Sequence, residues 1–238
     1  NNAFINVNLT TNQLLVNFID PFIPVPGGQL SFNVFEFTNV EGTDNSDTIV
    51  GNADSNLFTA SGEFDIYDGE GGVDTVDYSA IGTAITLGGS GLIVKEGLGQ
   101  DTIFDIETII ADASEINTID GQLNASGNAA FDVDLGDDSL EIRFVDGFLI
   151  GQTVTFEVEN FTNVIGTVNS DGITGNIQDN VFTGSTGNDT YNGVGGSNTV
   201  DYSDLGVGIT LLTQGQIAKA PVEVAGEIVG LAGTDHIN

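Results

Sequence analysis

Acidic and amide side chains recur every nine residues in two stretches of this chain. Asp47, Asn56, Asp65 and Asp74 hold the sixth place of the successive nines GTDNSDTIV, GNADSNLFT, ASGEFDIYD and GEGGVDTVD, over 42–77. Asp171, Asn180, Asp189 and Asn198 hold it over 166–200, in GTVNSDGIT, GNIQDNVFT, GSTGNDTYN and GVGGSNTV. If two nines make one coil, alternate sixth places meet: Asp47 with Asp65, Asn56 with Asp74, Asp171 with Asp189, Asn180 with Asn198. Two carboxylates about 5 Å apart repel by roughly 3–4 kcal/mol at an effective dielectric of about 20. A divalent cation turns that repulsion into coordination, and calcium takes about six to eight oxygens from carboxylates and turn carbonyls. Asp47, Asp65, Asp171 and Asp189 are therefore the leading candidate calcium ligands, with Asn56 and Asp74 a weaker pair. Asn180 and Asn198 carry no charge and are expected to form an amide ladder. The competing reading is that each sixth residue only caps its own turn through an Asx bond.

The elements that would hold these groups follow from the same period. A fixed repeat of nine with a turn, an Asx and one apolar residue signals a solenoid. The eighth places, Ile49, Phe58, Tyr67 and Val76, then Ile173, Phe182, Tyr191 and Val200, are expected to face inward as an apolar ladder. The sixth places are expected to face the loop, on strands about 4.8 Å apart. The pattern resembles the calcium-binding β-roll repeats of the repeats-in-toxin family, G-G-x-G-x-D-x-U-x. GSTGNDTYN (184–192) matches best, with Gly187, Asp189 and Tyr191 in the fourth, sixth and eighth places. The resemblance covers about a third of the chain directly. The second place is never Gly, and the fourth is Gly only at Gly72, Gly187 and Gly196. At the other fourth places, Asn45, Asp54 and Asn169 can turn left-handed, whereas Glu63 and Gln178 do so at a cost. The resemblance implies a parallel β-roll, bound Ca2+, and secretion of an unfolded chain that folds in external calcium.

The chain is also duplicated. FTNVEGTDNSD (37–47) matches FTNVIGTVNSD (161–171), and TVDYS occurs at 75–79 and 199–203, with Tyr78 and Tyr202 124 residues apart. Runs such as AFINVNL (3–9), QLLVNFI (13–19) and QLSFNVFEF (29–37) read as strands. DTIFDIETII (101–110) is also read as strand from its Ile and Thr content. The fold class is all-β: parallel β-roll or β-solenoid segments combined with antiparallel strands, in two tandem homologous modules. Module 1 spans 1–120, with strands over 3–40, nonapeptides over 42–77 and strands over 84–110. Module 2 spans 121–238, with strands over 130–160, nonapeptides over 166–201 and strands over 208–238. DPFIPVPGG (20–28) is a stiff loop, because its three prolines bar a central strand. INTIDG (116–121) restarts the pattern with Asn117 and Ile119, and the final GTDHIN is aligned with that region. On this alignment the chain is two units of a longer array, or a subunit that stacks end to end.

Composition narrows the function. Lys plus Arg is 3, Asp plus Glu is 35, and the net charge is −32. No basic patch can form, which argues against nucleic acid and anionic membrane surfaces as partners. With no Cys there is no disulfide or thiolate site. No apolar run reaches the length of a membrane span. His236 is the only histidine and leaves no base to spare for Ser-His-Asp chemistry. It is read as a surface or inter-copy contact, and Arg143 as a salt-bridge partner rather than the base of a lyase. Tyr67, Tyr78, Tyr191 and Tyr202 recur in register and are read as core. PFIPV (21–25) and GFLI (147–150) are either self-association patches or caps. The expectation is a non-enzymatic, extracellular structural or adhesive calcium-binding module of a surface, matrix or filament protein, partnered by further copies of itself. The alternative is the calcium-folding accessory region of a secreted enzyme or toxin.

Overall fold

The segments of alternating or β-branched residues named above form strands, although QLSFNVFEF is strand only over Gln29–Asn33. The computed structural model describes residues 3–19, 28–123, 127–212, 215–224, 227–230 and 233–238. They form two 12-stranded sheets of mixed parallel and antiparallel strands and one two-stranded hairpin, with no helix among them. The fold is all-β. The proline loop with Phe22, Ile23 and Val25 lies outside the described residues. The chain divides into two compact units: one of 1–86, 91–115 and 156–160, the other of 87–90, 116–155 and 161–238.

In the first unit, Ala3–Asn8, Gln13–Phe18 and Gln29–Asn33 make an antiparallel meander. Ala3–Asn8 then pairs parallel with Thr48–Asn52, which pairs parallel with Ile66–Glu70, which pairs parallel with Gly99–Phe104. Alternating with these, Asn39–Glu41, Leu57–Thr59, Thr75–Asp77 and Thr108–Ile110 pair parallel in the other sheet. Register puts Ile49 on Tyr67 and Phe58 on Val76. Alternate nines therefore stack, as the period predicts, in coils of 18 residues. DTIFDIETII is strand, but it contributes to both sheets, turning at Asp105, whose φ is 47°.

The second unit repeats the scheme. Ala129–Asp134 pairs antiparallel with Ser139–Phe144 and parallel with Gly172–Thr174, which continues to Thr190–Asn192 and Thr234–Ile237. Asn117–Asp120, Phe161–Ile165, Val181–Thr183 and Thr199–Asp201 form the other parallel series. The GTDHIN strand pairs with the third nine of its copy, as the GQDTIF strand (99–104) pairs with the third nine of the first. Its counterpart is therefore GQDTIF rather than the INTID region. Asn117 and Ile119 are both buried, as the sixth and eighth places of a restarted nine.

The eighth-place residues build the core. Ile49, Phe58, Tyr67 and Val76 are each 0% exposed, and Ile173, Phe182 and Tyr191 are buried, with Val200 half-buried. Phe58 stacks on Tyr67 and Phe182 on Tyr191, each pair at 5.9 Å between ring centres. Apart from the exposed Asn198, the sixth places do not face the loop. Asp47, Asn56, Asp65, Asp74, Asp171, Asn180 and Asp189 are all buried. Places six and eight are two residues apart, and side chains two apart along an extended chain share a face. What turns the apolar residue inward turns the acid inward as well.

Candidate functional site

Buried acids need donors, and the sixth-place side chains draw on two sources, the turn of their own nine and the neighbouring coil. Within the nine, Asp47, Asn56 and Asp171 cap the turn four residues back. Asp47 Oδ2 accepts from the Thr43 N–H, Asn56 Oδ1 from Asn52 N–H at 2.8 Å, and Asp171 Oδ2 from Thr167 N–H at 2.7 Å. Between coils, backbone feeds side chain. Asp47 N–H donates to Asp65 Oδ1 at 2.9 Å, and Asp65 N–H to Asp101 Oδ1 at 3.0 Å. Asn56 N–H donates to Asp74 Oδ1 at 2.7 Å, and Asp74 N–H to Glu107 Oε2 at 2.8 Å. In the second unit Asp171 N–H donates to Asp189 Oδ1 and Asp189 N–H to Asp235 Oδ1, at 3.0 and 2.9 Å. Asn180 N–H donates to Asn198 Oδ1 at 2.9 Å. The four pairs set by the period do meet, and a peptide N–H joins each of them.

The first-place glycines follow from this arrangement. A Cβ on Gly51 would lie 2.3 Å from Asn56 Oδ1, and one on Gly175 2.3 Å from Asn180 Oδ1. At these two places the sixth side chain folds back over the first and leaves no room for one, whereas the third nine of the first copy carries Ala60 there. Left-handed backbone at the fourth place is confined to Gly72, Gly187, Gly196 and Glu63, so Gln178 escapes the strain expected of it.

Two of the three basic residues lie inside these columns. Lys95 Nζ sits 2.6 Å from Asp101 Oδ1, 3.3 Å from Asp65 Oδ2 and 2.6 Å from the Ser61 carbonyl, and all three side-chain charges are 0% exposed. Lys219 Nζ sits 2.5 Å from Asp235 Oδ1, 3.0 Å from Asp189 Oδ2 and 2.8 Å from the Ser185 carbonyl. The tyrosines complete both clusters. Tyr78 Oη donates to Asp101 Oδ2 at 3.0 Å and Tyr202 Oη to Asp235 Oδ2 at 2.6 Å. Tyr67 Oη donates to Asp65 Oδ2 and Tyr191 Oη to Asp189 Oδ2, at 3.2 and 3.3 Å. The hydroxyls of Ser61 and Ser185 donate to the same two oxygens, each at 3.1 Å.

Burial sets the electrostatics. It pushes the Asp101 carboxyl up to about 6 against the pull of Lys95, and the Asp171 carboxyl up to about 6 against hydrogen bonds from Phe131 and Thr167. Asp47, Asp74 and Asp189 are raised as well, burial again being the largest cause. The phenols of Tyr67, Tyr78, Tyr191 and Tyr202 are pushed up by burial and by the acids beside them, so they stay protonated and donate.

Calcium ligands must turn free lone pairs to the ion. At Asp47, Asp65, Asp171 and Asp189 both carboxylate oxygens already accept from N–H or O–H donors, and Asn56 Oδ1 accepts from Asn52. Asp74 differs: its Oδ2 is buried and accepts no hydrogen bond. No group of three or more Asp, Glu or His arranged to hold a metal occurs among the described residues.

Arg143 pairs with Asp132, both partly exposed, as the bland reading holds. His236 is exposed on its strand. One cleft in the second unit is lined by Phe131, Phe144, Val168, Gln122 and Asn128, with no titratable side chain among its described residues. Compared with known proteins, the chain matches no family model and no curated sequence.

The period finds Asp47, Asp65, Asp171 and Asp189, but Lys95, Asp101, Lys219 and Asp235 escape it. The available signal was a coincidence of two spacings. Lys95 and Lys219 are 124 residues apart, as are Tyr78 and Tyr202.

Proposed function

We propose that this chain is a structural module, a duplicated β-roll serving an extracellular surface, matrix or filament protein. Its acid columns are held by its own lysines and peptide N–H groups. The observation that carries this reading is the paired cluster of Lys95 with Asp65 and Asp101 and Lys219 with Asp189 and Asp235. The chain commits its buried charged groups to holding one coil on the next, in both copies alike. Association with further copies is supported by exposed apolar residues in both units. Leu30, Phe32, Phe35 and Phe37 stand out on and just after the third strand of the first unit, and Phe148, Leu149 and Ile150 in a turn of the second. The acidity of −32 suits a module that stays dispersed until such faces meet.

A second reading, calcium-dependent folding of an accessory region in a secreted enzyme or toxin, is favoured by Asp74. Its free Oδ2 lies near the charges of Glu107 and Asp105. Imaging the purified chain with calcium and with chelator separates the two. The first reading expects assemblies under both conditions. Isolated particles under both would sink it, and folded material only with calcium would favour the second.

A further inference from the structure

A buried primary amine lying against a buried carboxyl, with a second carboxyl beside both, is poised for chemistry as well as for attraction. We propose that Lys95 forms an amide with Asp101, and Lys219 with Asp235, so that each copy closes itself with an intramolecular isopeptide bond.

The geometry supplies the parts of a condensation. Lys95 Nζ is 2.6 Å from Asp101 Oδ1 and has no exposed surface. Removal from water leaves an amine a stronger nucleophile, and fixed proximity replaces a collision. The backbone N–H of Asp65 donates to Asp101 Oδ1 at 3.0 Å, where negative charge develops when nitrogen attacks Cγ. Tyr78 Oη donates to Oδ2, the oxygen that leaves. Asp65 Oδ2 is 3.3 Å from Nζ and carries protons between the two. The step balances. Nitrogen bonds to Cγ, two protons pass from the ammonium by way of Asp65 to Oδ2, and the C–Oδ2 bond breaks to release one water. Asp65 ends in the state in which it began, and no oxidant or cofactor is consumed. The product removes two charges from a dry interior, where an ion pair recovers little of its desolvation cost.

The second copy repeats every part. Lys219 Nζ lies 2.5 Å from Asp235 Oδ1. The Asp189 N–H donates to that oxygen at 2.9 Å, Tyr202 Oη donates to Oδ2 at 2.6 Å, and Asp189 Oδ2 is 3.0 Å from Nζ. The amine and its acid are 6 positions apart in the first copy and 16 in the second, yet the same contacts close. A cluster rebuilt across an insertion of that size is held to its geometry by more than local chain connection.

The test is the intact mass of the full chain, folded and then denatured. The expected mass falls short of the sequence mass by two waters. Lys95→Arg and Lys219→Arg each restore one water, and the double variant restores both. Cleavage after glutamate separates Lys95 from Asp101 at Glu96, so the expected digest contains a branched peptide joining the two. Asp65→Asn keeps Lys95 and Asp101 but removes the proton carrier, and is expected to restore one water. An unmodified mass in the folded wild-type chain overturns the proposal and leaves both clusters as ion pairs. That result would not bear on the assembly test, which reads a different property.

Discussion

At the scale of single residues, each buried lysine is the one basic group set among its acids, whether the contact stays an ion pair or closes to an amide. Removing Lys95 would leave Asp65 and Asp101 facing each other without water or a neutralising group. Lys95→Met is therefore expected to destabilise the chain by about 3–5 kcal/mol in urea unfolding. A loss below about 1 kcal/mol, the scale of an exposed pair, would show that the cluster contributes nothing special. The acids of this site were legible because they obey the nine-residue period. Asp101 and Asp235 were not, because a hairpin separates each from the nines before it, and the period stops at Asp77. Nor did the period alone reveal that the acids face inward. That needed the alternation rule applied between places six and eight of a single nine, where Asp47 and Ile49 share a face.

At the scale of elements, the nine is a turn closed by its own sixth side chain. At Gly51 and Gly175, glycine is the room that closure needs. Gly51→Ala would set a Cβ 2.3 Å from Asn56 Oδ1 and 2.7 Å from the Gly69 carbonyl, neither of which can move without breaking a ladder bond. A cost of about 1–3 kcal/mol is expected, as for overpacking in a close-packed interior. Gly62→Ala, whose Cβ would meet nothing nearer than 4.0 Å, is the matched control and should be near neutral. Equal effects at the two positions would remove the explanation. The strands themselves were readable from alternation, including Ala3–Asn8 and Ala129–Asp134. The passage of DTIFDIETII from one sheet to the other was not, because its turn rests on one left-handed Asp105 that no residue type announces.

At the scale of the molecule, the acids make stability depend on pH in an uncommon direction. The folded Asp171 carboxyl titrates at about 6, above its ordinary 3.8. Folding therefore favours the protonated form. The stabilisation is complete below 3.8 and is lost as pH rises through about 6. Acidification toward that window also relieves the self-repulsion of a chain with net charge −32. The urea midpoint is expected to rise as the buffer moves from neutral to about pH 5. A falling midpoint would mean that native carboxylates are on balance stabilised as anions. The duplication was plain from matched words such as TVDYS. The pairing of the final strand is not readable this way, because GTDHIN shares spelling with INTID while its neighbours place it with GQDTIF.

The hairpin Val222–Val224 and Glu227–Gly230 stands between Lys219 and Asp235, where the first copy has only a short turn. One anchoring lysine and one anchoring aspartate thus bracket a segment whose length the scaffold does not dictate. A different sequence between Val222 and Gly230 is expected to leave the urea midpoint of the coils unchanged, and a midpoint that falls with every replacement would refute this. In an array built from such units, every copy could present something different at the same address.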